Sequence, residues 1–168
     1  GTCDVAVISL GGIAASRSIK VGGDAFDESI VNHMKKAHNL LIGKNTAEDI
    51  KIKIGSVSSY DGEGAMDVKG RNLTDGLPKS VEITSAEIRD VLAEPVSKII
   101  AAIKETLEVT LPELAADIID RGIYLAGGSS QLRGLPELIS KETKMQVHIP
   151  EKPLDCVALG TSIKLRRA

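Results

Sequence analysis

The stretch from Ile123 to Gly134 constrains this chain more than any other. It reads Ile-Tyr-Leu-Ala-Gly-Gly-Ser-Ser-Gln-Leu-Arg-Gly. Ile123, Tyr124 and Leu125 predict a buried strand, Gly127-Gly128 a tight turn, and Ser129-Ser130 the start of a helix running through Leu132, Leu135, Leu138 and Ile139. Glycine has no Cβ, so backbone N–H groups there can approach a phosphate or ribose closely. A helix start adds unpaired donors and the positive end of the helix dipole. The same pattern also serves as a plain strand-to-helix turn without a ligand, and the stretch alone does not choose between the two. It is not a Walker loop, because no Lys-Ser or Lys-Thr follows the glycines, and its glycine spacing is not the dinucleotide fingerprint.

Composition narrows what can surround this stretch. A length of 168 residues suggests one domain, or one carrying an insertion. Hydrophobic residues at 42% support a core, and aromatics at 2% make that core aliphatic. The net charge of −2 argues against a nucleic-acid partner. No apolar run approaches the roughly 18 residues of a membrane span, and no signal peptide opens the chain. Cys3 and Cys156 form no disulfide framework, which fits a reducing cytoplasm, and Cys156 reads as a buried thiol. The chain opens at Gly1, without Met, directly ahead of a strand, so the expectation is a piece of a longer protein.

In chain order, Asp4–Leu10 and Ile13–Val21 read as strands joined by Gly11-Gly12 in a hairpin. A helix is expected from Asp24 to His38, with Phe26, Ile30, Val31 and Met34 on its apolar face. Asn45 to Glu48 reads as a capping box opening a second helix, on which Glu48 and Lys51 share a face. They read either as a surface ion pair or as a joint grip on a polar ligand. Ser56–Gly64 is a loop. Ala65–Arg71 and Lys79–Ile83 are strands about a Thr74-Asp75-Gly76 turn. Thr84 to Glu87 is a second capping box, opening a long helix to Glu108 that Pro95 should kink. Thr110 to Glu113 repeats the capping pattern before a short helix to Asp120. A short strand is expected at Gln146–Ile149. A final helix begins at Leu154, where Gly160 suggests close backbone packing. His33, His38 and His148 show no ligand spacing; His33 and His38 are five positions apart and do not share a helix face, so no metal site is expected.

Several of these segments together resemble one superfamily. Gly1-Thr2-Cys3-Asp4 followed by a hairpin resembles the second phosphate loop of the actin, Hsp70 and sugar-kinase ATPases. Ile123–Gly134 resembles their adenosine motif, and Asp155–Thr161 their closing helix. The similarity is closer still to the MreB and Mbl family of bacterial actin-like rod-shape proteins. It is carried by Ala6–Gly12, Thr46–Ile52, Leu73–Pro78, Pro112–Arg121 and Leu132–Leu135, and it covers essentially the whole chain. The resemblance implies an α/β, ribonuclease-H-like subdomain (IIA) at residues 1–21 and 85–168. A small α+β subdomain (IIB) is inserted at 22–84. Together they would form the second half of a protein whose first half holds another phosphate loop and the acidic residue that positions attacking water.

The resemblance also implies roles. Gly1 and Thr2 would face the β- and γ-phosphates. Glu48 and Lys51, with Asp49 and Ile50 between them, would hold the adenosine end. Gly127, Gly128, Ser129 and Ser130 would line the nucleotide beside them. No residue of the chain is assigned a catalytic or metal-binding role. Whole members of the family bind ATP with Mg2+ between the halves and polymerise into double filaments. Those filaments lie on the cytoplasmic face of the membrane and work with the cell-shape and wall-synthesis machinery to maintain a rod shape. Cys3 and Asp4 stand where Thr and Glu are usual, and Ser129 replaces the commonest third glycine. The upstream Asp-x-Gly-Gly that helps place the metal is not in this sequence, which implies weak nucleotide binding by this half alone and almost no hydrolysis. The alternatives are the same lobe of an Hsp70-like chaperone or of a small-molecule kinase.

Overall fold

We describe residues 1–167 in a computed structural model of the chain; Ala168, the last residue of the expected subdomain, lies outside the described residues. Strands β1 (Cys3–Ser9) and β2 (Gly12–Ile19) form the expected antiparallel hairpin. Its turn is one residue earlier than the glycine pair suggested. Leu10 (φ 50°) and Gly11 (φ 76°) take the two left-handed positions, and Gly12 already pairs with Ser9. A two-residue hairpin turn of type I′ needs positive φ at both central residues. Leu10 meets this demand while fully exposed, where no packing opposes it.

Helix α1 (Gly23–His38) buries Phe26, Ile30 and Met34, and Asn39 ends it in the left-handed conformation. The next two residues, Leu40–Leu41, are a strand, β3, which pairs antiparallel with β4 (Ala65–Asn72). Leu40 is fully buried, so this short apolar run joins a sheet instead of merely ending a helix. Strand β5 (Pro78–Thr84) completes the order β3-β4-β5. Helix α2 (Lys44–Ile54) lies between β3 and β4, and it starts before the expected cap: Gly43 is the N-cap and no side chain caps it. Asn45 therefore sits inside the first turn.

Helix α3 (Ser85–Glu108) is the core element. Thr84 caps it, accepting from the Glu87 N–H at 3.2 Å. Only half of the capping box forms, because the Glu87 carboxylate goes elsewhere. The helix runs uninterrupted through Pro95. Its Ile88, Leu92, Val96, Ile99 and Ile103 join Phe26, Ile30, Met34, Ile50, Val68, Ile83 and Ile139 in one continuous aliphatic core. Helix α4 (Pro112–Arg121) begins at Leu111 without a side-chain cap, since Thr110 bonds back to the Thr106 carbonyl at 2.7 Å.

The organising stretch departs most from expectation. Ile123–Tyr124 is a two-residue strand, β6, parallel to β7 (Val147–His148), and Tyr124 is exposed instead of buried. The single helix expected after the glycines is two pieces. A four-residue 3-10 turn, Gly128–Gln131, gives way to extended Leu132, and α5 (Leu135–Thr143) starts only after Gly134, at φ 80°. A Cβ on Gly134 would lie 2.2 Å from Ser58 Oγ. Close approach of the 56–58 loop thus breaks the helix there. Arg133 fastens the same junction: its Nη1 donates to the Lys53 carbonyl at 3.0 Å and lies 3.3 Å from that of Gly55, and its own carbonyl accepts from the Val57 N–H at 2.9 Å.

Helix α6 (Cys156–Arg167) carries exposed Val157, Leu159 and Leu165. Gly160 has open space where a Cβ would stand, so the close packing expected of it is not present among the described residues. Cys156 is partly exposed, not buried.

Candidate functional site

The site is organised around the start of α1. Gly22, its N-cap, has extended backbone and offers no side chain, and its carbonyl accepts from Ala25 and Phe26. Gly1 packs directly on this glycine: a Cβ on Gly22 would stand 3.2 Å from the Gly1 carbonyl carbon. One on Gly23 would stand 3.4 Å from Lys51 Nζ and 4.0 Å from Ser129 Oγ. Three segments singled out in the sequence, at Gly1-Thr2, Glu48–Lys51 and Gly127–Ser130, therefore meet around a glycine pair, Gly22-Gly23, to which the sequence analysis gave no role in the site. The signal was present. Gly22-Gly23 ahead of a helix lacking Ser, Thr or Asn at its cap is the same pattern as Gly127-Gly128, and α1 supplies 16 residues of dipole where the later motif supplies only a 3-10 turn.

Charge is arranged in pairs. Asp24 meets Lys44 at the start of α1. The Lys44 hydrogen bond holds the Asp24 carboxyl below the usual carboxylate range. Lys51 does not pair with Glu48. Its Nζ lies 2.7 Å from Asp27 Oδ1 and 3.4 Å from the Gly23 carbonyl, to which it donates. Asp27 is 3% exposed, and Oδ1 receives no well-aligned hydrogen bond, so Lys51 neutralises it by charge alone. Glu48 and Asp49 are exposed on α2. Ile50 is fully buried in the core and has no side-chain surface to offer a ligand.

The second glycine turn is held from two sides. The Gly127 N–H donates to the Pro153 carbonyl at 2.7 Å, and Ser130 Oγ donates to the Gly127 carbonyl at 2.6 Å. Ser130 is 4% exposed and committed to that bond; Ser129 is the serine that reaches the glycines of α1. Gly127 needs its freedom, at φ 88°, whereas Gly128 does not have positive φ. Thr2 is exposed and its hydroxyl lies 3.3 Å from Asp4 Oδ2. Burial, then the Asp4 charge, pushes the neighbouring Cys3 thiol up, which makes it an inert packing residue.

Backbone edges without Cβ, a helix N-terminus and the Lys51 ammonium suit an anionic ligand with polar hydroxyls. The buried Asp27 carboxylate behind Lys51 fixes the ammonium beside the glycines of α1. These residues fit a nucleoside polyphosphate.

A second cluster joins the end of α1 to the start of α3. His33 Nε2 lies 2.6 Å from Glu87 Oε1, and His38 Nε2 contacts the same oxygen. The two imidazoles do not share a helix face, but α3 presents Glu87 between them. Their centroids are 5.7 Å apart and the rings stand edge to face. Burial pushes the Glu87 carboxyl up, but the two imidazole bonds outweigh it and hold the group below the usual carboxylate range.

The sequence model of the family described as "MreB/Mbl protein" matches residues 1–168. The chain is 47% identical over 165 residues to the cell shape-determining protein Mbl of Bacillus subtilis, covering 98% of this chain and 50% of that protein. It is 46% identical over 160 residues to the cell shape-determining protein MreB of Escherichia coli K12, covering 95% and 46%. The structure superposes on MreB5 of Spiroplasma citri bound to ADP with a TM-score of 0.94 at 43% identity, covering 97% of this chain and 50% of that one. The chain thus spans about half the length of the relatives it matches.

Proposed function

Because this chain belongs to the MreB/Mbl family of cell shape-determining, actin-like proteins, we propose that it is the C-terminal half of an ATP-binding cytoskeletal protein. That protein would polymerise into membrane-associated filaments in the cytoplasm and, with the wall-synthesis machinery, maintain rod shape. The observation carrying the nucleotide reading is the meeting of Gly1, Gly23, Lys51 and Ser129 at the start of α1. It is supported by MreB5 of Spiroplasma citri, whose structures are described as bound to ADP and to AMPPNP. The chaperone and kinase alternatives are not favoured by the family match. No helix among the described residues is long and apolar enough to cross a membrane.

In this reading residues 1–21 and 85–168 form subdomain IIA, and 22–84 form IIB. Gly1 and Thr2 bring backbone and a hydroxyl to the phosphates, where Gly22 and Gly23 add their N–H edges. Lys51 and Glu48 take the nucleoside end, and Gly127, Gly128 and Ser129 close the wall opposite. Magnesium, when bound, neutralises phosphate charge, and no residue of this chain is assigned to hold it. Phosphoryl chemistry of this kind rests on positioning and electrostatic stabilisation, so this half orients the nucleotide and excludes water without supplying a base.

Gly23→Ala tests the reading. Gly23 opens α1 with no positive φ, so alanine should leave folding intact. The added methyl enters the space between Lys51 and Ser129. In the protein expressed in full, affinity for a fluorescent ATP analogue should fall about tenfold, or 1.4 kcal/mol, while the melting temperature holds or rises. A folded variant that binds like the parent would remove the start of α1 from the site.

A further inference from the structure

We propose that His33, His38 and Glu87 form a binding site for a divalent transition-metal ion such as Zn2+, clamping the end of α1 to the start of α3. The site lies apart from the residues proposed to hold nucleotide. Two imidazole nitrogens and a carboxylate oxygen converge, all three within 4.8 Å of one another. A set with two imidazoles selects zinc, cobalt or nickel over magnesium or calcium, which prefer oxygen alone.

Three protein ligands leave a fourth position open, and the geometry leaves room for it. The side chains of His33, His38 and Glu87 are 26%, 23% and 25% exposed, enough for an ion to enter and keep a water, yet buried enough to hold their rotamers. Ligand atoms about a tetrahedral ion with bonds of about 2.0–2.1 Å stand roughly 3.3 Å apart. His33 Nε2 and Glu87 Oε1 are 2.6 Å apart, so the carboxylate must move outward by less than about an ångström, within the reach of its χ angles.

Without an ion the cluster is satisfied by both imidazoles donating from Nε2 to one carboxylate oxygen. With an ion those protons leave and the lone pairs turn to the metal. Two features of the surroundings act in opposite directions. The last turn of α1 carries partial negative charge that favours a cation, and the first turn of α3, which holds Glu87, carries the opposite. Lys79 Nζ donates to the His38 carbonyl at 3.0 Å. The site also joins two helices whose apolar faces share the core, so occupancy is linked to fold stability: an ion bound by the folded state alone raises stability as its concentration exceeds Kd.

The test uses the protein expressed in full, without a histidine tag and stripped with chelator. Co2+ is added as a visible-band probe and Zn2+ is titrated against a fluorescent chelator. The expected result is one ion per chain, a Co2+ spectrum of low-coordinate N/O ligation, and a melting temperature that rises with Zn2+. His33→Gln and His38→Gln should each weaken binding by about tenfold or more, given that even outer-shell losses cost 10–100-fold. Glu87→Gln, which keeps an acceptor for both imidazoles and so guards against a folding failure, should weaken it likewise. No saturable binding, or binding unchanged in the folded Glu87→Gln and His38→Gln variants, would overturn the proposal and leave the cluster as a doubly hydrogen-bonded carboxylate.

Discussion

Lys51→Ala is the substitution for which the fold makes the sharpest demand. On sequence alone Lys51 lies on an α2 face beside Glu48, where its loss would cost a surface pair under about 1 kcal/mol. Its actual partner is Asp27, whose side chain is 4% exposed against 16% for Lys51. Removing the ammonium leaves a carboxylate buried without a partner. Breaking a buried pair from one side costs about 3–5 kcal/mol, and water access to the Lys51 end puts the expectation near 3. For a chain of 168 residues that is a fall in melting temperature of about 6–12 °C. Asp27→Asn should cost less, about 1–2 kcal/mol, because the long lysine stem can turn its charge to solvent. Replacing both, with Lys51→Met and Asp27→Leu, should restore most of the loss. Urea denaturation of these proteins measures each loss, and the Lys51→Ala, Asp27→Asn double mutant, set against its two single mutants, gives the coupling. If Lys51→Ala stays within about 0.5 kcal/mol of the parent, Asp27 is not burdened by burial and the reasoning fails. With the expected loss, nucleotide affinity in Lys51→Ala has to be compared at matched folded fraction.

Gly134→Ala should cost about 1–3 kcal/mol in thermal melting, since φ is 80° and the new Cβ lies 2.2 Å from Ser58 Oγ; Ser58→Ala should not rescue it, because the backbone conformation remains. Gly128→Ala should change stability by less than about 1 kcal/mol, its Cβ meeting only the end of Leu154 at 3.3 Å, yet lower ATP-analogue affinity in the full protein; unchanged affinity would take Gly128 out of the site. Lys44 holds the Asp24 carboxyl below its ordinary 3.8, so the pairing supports the fold fully above 3.8 and is lost as pH falls through the lowered value; Lys44→Ala should move the carboxyl midpoint upward in an NMR titration.

Local rules read well where local physics decides. The β4–β5 hairpin and the start of α3 follow from alternation, a Thr-Asp-Gly turn and the Thr84 cap, and each needs only neighbours in sequence. The site was half legible. Gly127, Gly128 and Lys51 were visible as chemistry, but Gly22-Gly23 was not, because its partners Gly1, Lys51 and Ser129 come from three other parts of the chain. Lys51 was paired with Glu48 by helical spacing, while the core turned it toward Asp27 on α1. The His33, His38 and Glu87 cluster escaped for a related reason: two histidines on different faces of α1 can converge only if a third residue stands between them, and Glu87 comes from 54 and 49 positions away. Tyr124 failed in the opposite sense, since a strand of two residues at the rim of a parallel pair buries one side only.

The Arg133 fastening carries a consequence for the order of folding. Its bonds to the Lys53 and Gly55 carbonyls join positions 80 and 78 apart, whereas the two hairpins close over a few residues. Loop closure over such a span costs entropy before any bond repays it, so the hairpins and α3 can condense first and this junction last. An interaction absent from the transition state acts on the escape rate alone. Arg133→Ala would therefore leave the refolding arm of a chevron unmoved and raise the unfolding arm, so that one guanidinium governs how long the assembled chain lasts and not how quickly it forms.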